Sequence, residues 1–232
     1  VYGALDLGAG SVHNYTLGGQ IGTIFKSGPV AFGVNYTTPE RINYKKVADL
    51  DFDSTLDNLA LESPHTVAAG IALTPNNLFL IEADVKWINW SQAAGYKDFD
   101  WEDQWVYAVG MQYKDPKGLS LRVGYNYSKS PVKIHNNFDP MGATLVQGKT
   151  VPNSGYELLR VVGFPAIQEQ HVTAGIGYKF SRTFEMHLGY MHAFKNSIEE
   201  QSAFGVLDYK SEIAADTFEF GLIWNYPRIM GW

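Results

Sequence analysis

Across residues 79–87 every second position is apolar (Phe79, Ile81, Ala83, Val85, Trp87), and Glu82, Asp84 and Lys86 fall between them. A period of two marks a strand whose faces meet unlike surroundings. The alternation returns over 105–113 and, past Asp115-Pro116-Lys117-Gly118, over 119–127. The same reading predicts strands at 15–25, 30–36, 65–73, 170–180, 184–190 and 217–226, with residues 1–7 as the end of a further strand. Connections near residues 27, 75, 116 and 182 are short and those near 50, 96, 150 and 204 are long, in strict alternation. The polar, acidic stretch 37–63 holds a segment, 41–47, able to extend a strand or pair locally. A connection rich in Pro, Asn and Gly runs from 133 to 168, with a short helix predicted over 156–162.

What stands on each face decides the class. The runs reach roughly 10 residues, the length a tilted strand needs to cross a bilayer. Their apolar face ends in Tyr or Trp at both margins, as an interfacial girdle does, and the other face carries charges, amides and glycine. Alternating short turns and long loops belong to an up-and-down barrel with short periplasmic and long extracellular connections. The pattern therefore predicts an all-β, up-and-down antiparallel transmembrane β-barrel of the outer membrane, a single barrel domain over residues 1–232. A mean hydropathy of −0.17 does not oppose this, because alternation hides a lipid face from any average. No run approaches the roughly 18 apolar residues of a membrane helix. A net charge of −6 without a block of Lys and Arg argues against nucleic acid as a partner. The chain opens mid-alternation without Met or an apolar leader, so it is expected to be part of a longer barrel whose first strands lie upstream.

Eight ionisable residues are expected to line the lumen: Glu82, Asp84, Lys86, Arg122, Lys179, Glu185, His187 and Glu219. They fit two roles, a network of ion pairs that satisfies the interior or basic groups that meet a substrate carboxylate. Gly110, Gly124, Gly175, Gly177, Gly189 and Gly221 on the same face make room for neighbours or for a passage. The six histidines show no metal-ligand spacing. Asp100, Glu102 and Asp103 lack the order of a calcium loop, and neither a Gly-x-Ser-x-Gly elbow nor a phosphate-binding glycine loop occurs. No catalytic residue, metal or cofactor is expected. Phe138, Met141, Leu145, Leu158, Leu159, Val161, Val162, Phe164 and Ile167 supply apolar loop surface suited to collecting a hydrophobic small molecule.

The order of several short motifs is similar to the C-terminal portion of the FadL family. They are Pro64-His65; Glu82-Ala83-Asp84-Val85 leading to Trp87 and Trp90-Ser91; Leu121-Arg122-Val123-Gly124-Tyr125; Ser130-Pro131-Val132; Phe164-Pro165; Ala174-Gly175-Ile176-Gly177-Tyr178; and Gly189-Tyr190-Met191-His192. Each motif is weak alone, and their order carries the resemblance from about Tyr15 onward. It implies passive outer-membrane transport of long-chain fatty acids or toluene-like hydrocarbons, with membrane lipid and lipopolysaccharide as surroundings. It also implies a substrate-facing Lys97, joined in a candidate site by Phe138, Leu158, Leu159 and Phe164. The family's N-terminal hatch and its early strands, one of them kinked, have no counterpart here, and Tyr226 is followed by six further residues instead of ending the chain. A structural or partner-binding barrel without transport is the alternative these departures leave.

Overall fold

Among the described residues nine strands hydrogen-bond side by side in one antiparallel sheet, and the long connections at one end of it hold two further hairpins. The computed structural model describes residues 13–51 and 53–225; the expected strand at 1–7 and the aromatic Tyr226 lie outside them. In chain order the strands are β1 (Gln20–Ser27), β2 (Val30–Thr37), β3 (Glu40–Ala48), β4 (Asp57–Ser63), β5 (Thr66–Asn76), β6 (Phe79–Ile88), β7 (Gln104–Lys114), β8 (Leu119–Ser128), β9 (Ala143–Val146), β10 (Lys149–Pro152), β11 (Gln170–Lys179), β12 (Phe184–Gln201) and β13 (Asp208–Trp224). The nine-stranded sheet runs β1-β2-β5-β6-β7-β8-β11-β12-β13, while β3–β4 and β9–β10 form two local hairpins. Among the described residues no helix is long and apolar enough to cross a membrane.

The sheet has the two faces that the alternation demands. Trp105, Tyr107, Val109 and Met111 of β7 stand with Leu121, Val123, Tyr125 and Tyr127 of β8 on one side, all well exposed. Phe218, Phe220, Leu222 and Trp224 continue that side at the far end of the sheet. Such a surface is stable against hydrocarbon, where apolar groups on strands cost nothing to leave unburied by protein.

The main buried apolar cluster lies elsewhere. Leu50, Phe99, Trp101, Val132, Val146, Val151, Tyr156, Val161, Ile167 and Ile198 pack together in the connections and at the outer end of β12. They form a head that sits on the strand ends, where the long loops of an outer-membrane barrel face the outside. Helix α1 (Asn153–Leu158) and a π-type turn, Leu159–Gly163, belong to it, in the region where a short helix is expected.

Three boundaries differ from the sequence reading, each for a physical reason. The first strand starts at Gln20 and not at 15, level with Thr37 at the end of its partner β2. Segment 41–47 does not lengthen a wall strand but pairs with β4, as Arg41↔Glu62, Asn43↔Ala60 and Tyr44↔Leu59. The last hairpin extends to Gln201 and Asp208, well past the predicted ends at 190 and 217. A β-bulge between Ala193 and Asn196 sets Phe194 and Lys195 against one residue of β13. A bulge shifts the phase of alternation by one, so odd-numbered residues of β12 face inward before it, and Asn196, Ile198 and Glu200 face inward after it.

Candidate functional site

The inner face of the wall is built on one recurring pairing. Asp84 lies opposite Gly70, Glu82 opposite Gly110, Arg122 opposite Gly175, His187 opposite both Gly177 and Gly221, and Glu219 opposite Gly189. A strand side chain set beside a residue without Cβ has room to lie against the sheet. A Cβ added at Gly70 would strike the Asp84 carboxylate, and one at Gly177 would strike the His187 ring. At Gly110 a Cβ would come within 3.1 Å of Glu82 Oε1, and at Gly189 within 3.4 Å of Glu219 Cβ. The side chains of Asp84, Glu82 and His187 therefore lie across the wall instead of projecting from it.

These groups are joined in part. Arg122 Nε donates to Gln112 Oε1 at 2.7 Å, and its Nη1 lies 3.4 Å from His187 Nδ1. Lys179 Nζ is 3.2 Å from Glu185 Oε1, and His187 Nε2 is 3.7 Å from Glu185 Oε2. Glu82, Asp84, Lys86 and Glu219 share the inner face without an ion pair to another described residue. Next to Glu82 and Asp84, the small residues Ala31, Gly33, Ala68, Gly70 and Ala72 border a cavity of about 660 Å³.

The head places the expected binding residues in different surroundings. Lys97, on the short 3₁₀ turn Lys97–Phe99, is exposed. With Arg41 and Lys45 of β3 it borders a cavity of about 500 Å³ between the β3–β4 hairpin and the head. Phe138 is 9% exposed and stacks on Tyr209, centroids 6.0 Å apart. Phe164 stacks on Phe99 at 5.4 Å, and Leu159 packs against the same cluster. Leu158 is 42% and Val162 49% exposed, one helical turn apart. An aromatic triangle of Trp90, Tyr96 and Trp101, with centroid separations of 4.6, 5.1 and 4.7 Å, supports the head on the ends of β6 and β7.

Polar contacts that no spacing in the sequence announces fasten the head. Gln147, at the tip of the β9–β10 hairpin, accepts from Ala60 N at 2.9 Å and donates to Ala60 O at 2.8 Å. Asp49, Asp51 and Asp57 gather carboxylate oxygens within 4.8 Å of one another. Lys149 Nζ supplies a cation there, 2.7 Å from Asp57 and 3.1 Å from Asp51. Those hydrogen bonds, to Asp57 first and then to Asp51, raise the lysine pKa.

The side chain of Arg160 is fully buried. Its Nε donates to Phe99 O at 2.9 Å, and its Nη1 to Glu157 Oε2 and Glu200 Oε1, each at 2.9 Å. Its Nη2 donates to Lys133 O, and its guanidinium lies over the Tyr156 ring. One side chain thus joins four segments of the head. Its partners in sequence are as far as 61 positions away, so no local signal marked it.

Comparison with known proteins adds to this geometry. Residues 10–138 match the model of a family described as outer membrane protein transport protein (OMPP1/FadL/TodX). Among curated proteins none matches. Of solved structures, the chain is similar to the Pseudomonas putida toluene transporter TodX, at 17% identity and a TM-score of 0.58, over 91% of this chain and 50% of that one. It is also similar to the CymD monoaromatic hydrocarbon channel, at 15% identity and a TM-score of 0.50, over 96% of this chain and 56% of that one. A Pseudomonas aeruginosa FadL homologue aligns at 15% identity and a TM-score of 0.52, over 88% and 50%. The chain spans about half the length of these structures, and at such identities the likeness speaks to the fold.

Proposed function

Since the chain belongs to the outer membrane protein transport protein family (OMPP1/FadL/TodX), a family of outer-membrane β-barrels, we propose that it forms part of a barrel that admits hydrophobic small molecules by passive diffusion. The substrate class is long-chain fatty acids or monoaromatic hydrocarbons. The observation that supports this best is the pairing of lumen charges with glycine. A wall meant only to be closed gains nothing from folding its ionisable groups flat, whereas a passage keeps its bore by doing so. The neighbouring lumen cavity bordered by alanine and glycine would let an apolar solute slide past backbone and methyl groups. Leu158 and Val162, exposed on the head beside a self-packed core, are the apolar surface available for first contact. Lys97, with Arg41 and Lys45, is a place where an acidic headgroup would be favoured over a neutral ring.

The test is uptake of labelled oleate and toluene by outer membranes carrying the full-length protein, with assembly checked by resistance of the barrel to unfolding in detergent. Uptake of either substrate supports the reading. Correctly assembled protein that carries neither removes it. A second reading, a barrel that binds a partner without transport, draws on the burial of Phe138 and the packing of half-buried Leu159 and Phe164 within the head itself. It expects assembled protein to take up neither substrate, and substitutions at Leu158 and Val162 to weaken association with the partner.

A further inference from the structure

His135, in the segment after β8, is held between two carboxylates. Its Nδ1 lies 3.0 Å from Glu157 Oε1 and its Nε2 2.8 Å from Asp100 Oδ2. A neutral imidazole has one N–H and one lone pair, so in that form one contact would set a lone pair against a carboxylate oxygen. Only the imidazolium donates to both. A second proton is implied beside it. Glu200 is fully buried and its Oε1 accepts from Arg160 Nη1 at 2.9 Å and from the His135 backbone N–H at 3.0 Å. Its other oxygen, Oε2, is buried and has no hydrogen-bond partner among the described residues, and Arg160 Nη1 bridges the two carboxyls, 2.9 Å from Glu157 Oε2 and 2.9 Å from Glu200 Oε1. Two buried carboxyls set on one guanidinium nitrogen disfavour each other's charge, so the protonated form of one of them is favoured.

We propose that Asp100, His135, Glu157, Arg160 and Glu200 form a proton-operated clasp. It closes the head by tying helix α1 and the turn after it to the outer end of β12 and to the Lys97–Phe99 turn, and it releases when His135 and Glu200 lose their protons. The groups that face it come from every packed element. They are Asp98 and Asp100 beside the 3₁₀ turn; Lys133 and His135 after β8; Tyr156, Glu157 and Arg160 on the helix and π-type turn; Glu200 on β12; and Tyr209 on β13. With both protons present, Arg160, Lys133 and His135 face ionised Glu157 and Asp100. After both leave, Glu157 and Glu200 compete for one guanidinium and His135 can serve only one of its two carboxylates.

The titration behaviour agrees in sign. The hydrogen bond that His135 donates to Glu157 leads in raising the His135 pKa, against burial and the nearby Arg160 charge. Burial leads in pushing Glu200 up to about 7, assisted by Glu157 and opposed by Arg160. A group whose pKa is raised on folding stabilises on the acid side, and that contribution is lost as pH climbs through the folded value. For Asp100 and Glu157 burial is the largest influence and acts upward, but their hydrogen bonds to His135 help hold both below the ordinary carboxylate range. Their contribution is lost only in stronger acid. The clasp is therefore closed from mild acid to about neutral and loosens in alkali.

Helix α1 and the turn after it, which the clasp holds, also carry Leu158 and Val162, so release moves the exposed apolar strip. That this admits substrate rests on the transport reading; the release itself does not. Amide hydrogen exchange of the full-length protein in outer-membrane vesicles tests it. Corrected for the chemical rise of exchange with pH, protection over residues 156–162 should fall about tenfold or more between about pH 6 and about pH 8.5, with β7 and β8 unchanged. Glu200→Gln keeps the shape of the protonated acid and should remove part of that fall. Asp100→Asn takes away one partner of the imidazolium and should move the midpoint to lower pH. A flat wild-type profile, or both variants following the wild-type curve, overturns the clasp. With the exchange change present, uptake that ignores pH overturns gating alone, and uptake absent at every pH overturns the transport reading and leaves the clasp standing.

Discussion

Replacing Arg160 by alanine should open the head and leave the wall intact. Its guanidinium is fully buried and is the cation shared by Glu157 and Glu200, whose side chains are 4% and 0% exposed. Breaking a buried pair by deleting one partner costs roughly 3–5 kcal/mol, because the surviving charge stays desolvated. The carbonyls of Phe99 and Lys133 lose their donor as well, about 1–3 kcal/mol each unless water fills the vacancy. Water and protonation of Glu200 will recover some of this, so about 3 kcal/mol is the floor, a factor on the order of 100 in the opening equilibrium. None of the nine wall strands pairs through Arg160. Limited proteolysis in outer-membrane vesicles should therefore cut residues 153–163 on the order of 100 times faster than in the parent, with the barrel's resistance to detergent unchanged. Arg160→Lys should be almost as sensitive, since an ammonium cannot present three separate donor nitrogens to four acceptors. An alanine variant protected to within about twofold of the parent would refute the assignment of the head's stability to this residue.

Val109, at the middle of β7 and 56% exposed on the outer face, should tolerate Leu but lose roughly 2–4 kcal/mol on change to Arg, measured by reversible unfolding in lipid. Gly177→Val should force His187 off the wall and slow uptake severalfold at unchanged assembly; equal uptake would contradict the flat-lying arrangement. Gln147→Ala removes two hydrogen bonds to Ala60, a loss of about 1–3 kcal/mol that should appear as faster exchange in β4 and β9 and nowhere in the wall.

The wall was legible in the sequence because the face a strand residue meets is set by its own parity. Nine predicted strands correspond to the nine that pair, and Glu82, Asp84 and Lys86 stand opposite in sense to Ile81, Ala83 and Val85. The alternation predicts an end at 190 because the bulge at Phe194 and Lys195 throws it out of phase just beyond. Local pattern cannot carry a strand across such an insertion. Hairpin β9–β10 has four residues on each side, too few to display a period. The head was illegible for another reason: its contacts are long-range, such as Lys149 to Asp51 across 98 positions. Phe138 and Phe164 are apolar residues in loops, and in a sequence that is the same signal whether they await a ligand or stack on Tyr209 and Phe99.

Wall and head are held by different forces, and this separates what each can change. The wall's apolar residues point to hydrocarbon, so its cohesion comes from strand hydrogen bonds that must all be made in a medium without water. Its inner face is correspondingly restricted, since a larger residue at Gly70 or Gly177 meets a neighbour at once. The head stands in water and is kept by burial of Phe99, Tyr156, Val161 and Ile198 around Arg160, a core that exchanges volume for volume at modest cost. Changes of preference among hydrophobic substrates should therefore accumulate on the head, at positions such as Leu158, Val162 and Lys97, while the glycine partners of the lumen charges stay as they are. Exchanging Leu158 and Val162 for residues of other size should shift the ratio of oleate to toluene uptake without altering barrel assembly. A ratio indifferent to both positions, with uptake intact, would place selection in the wall instead.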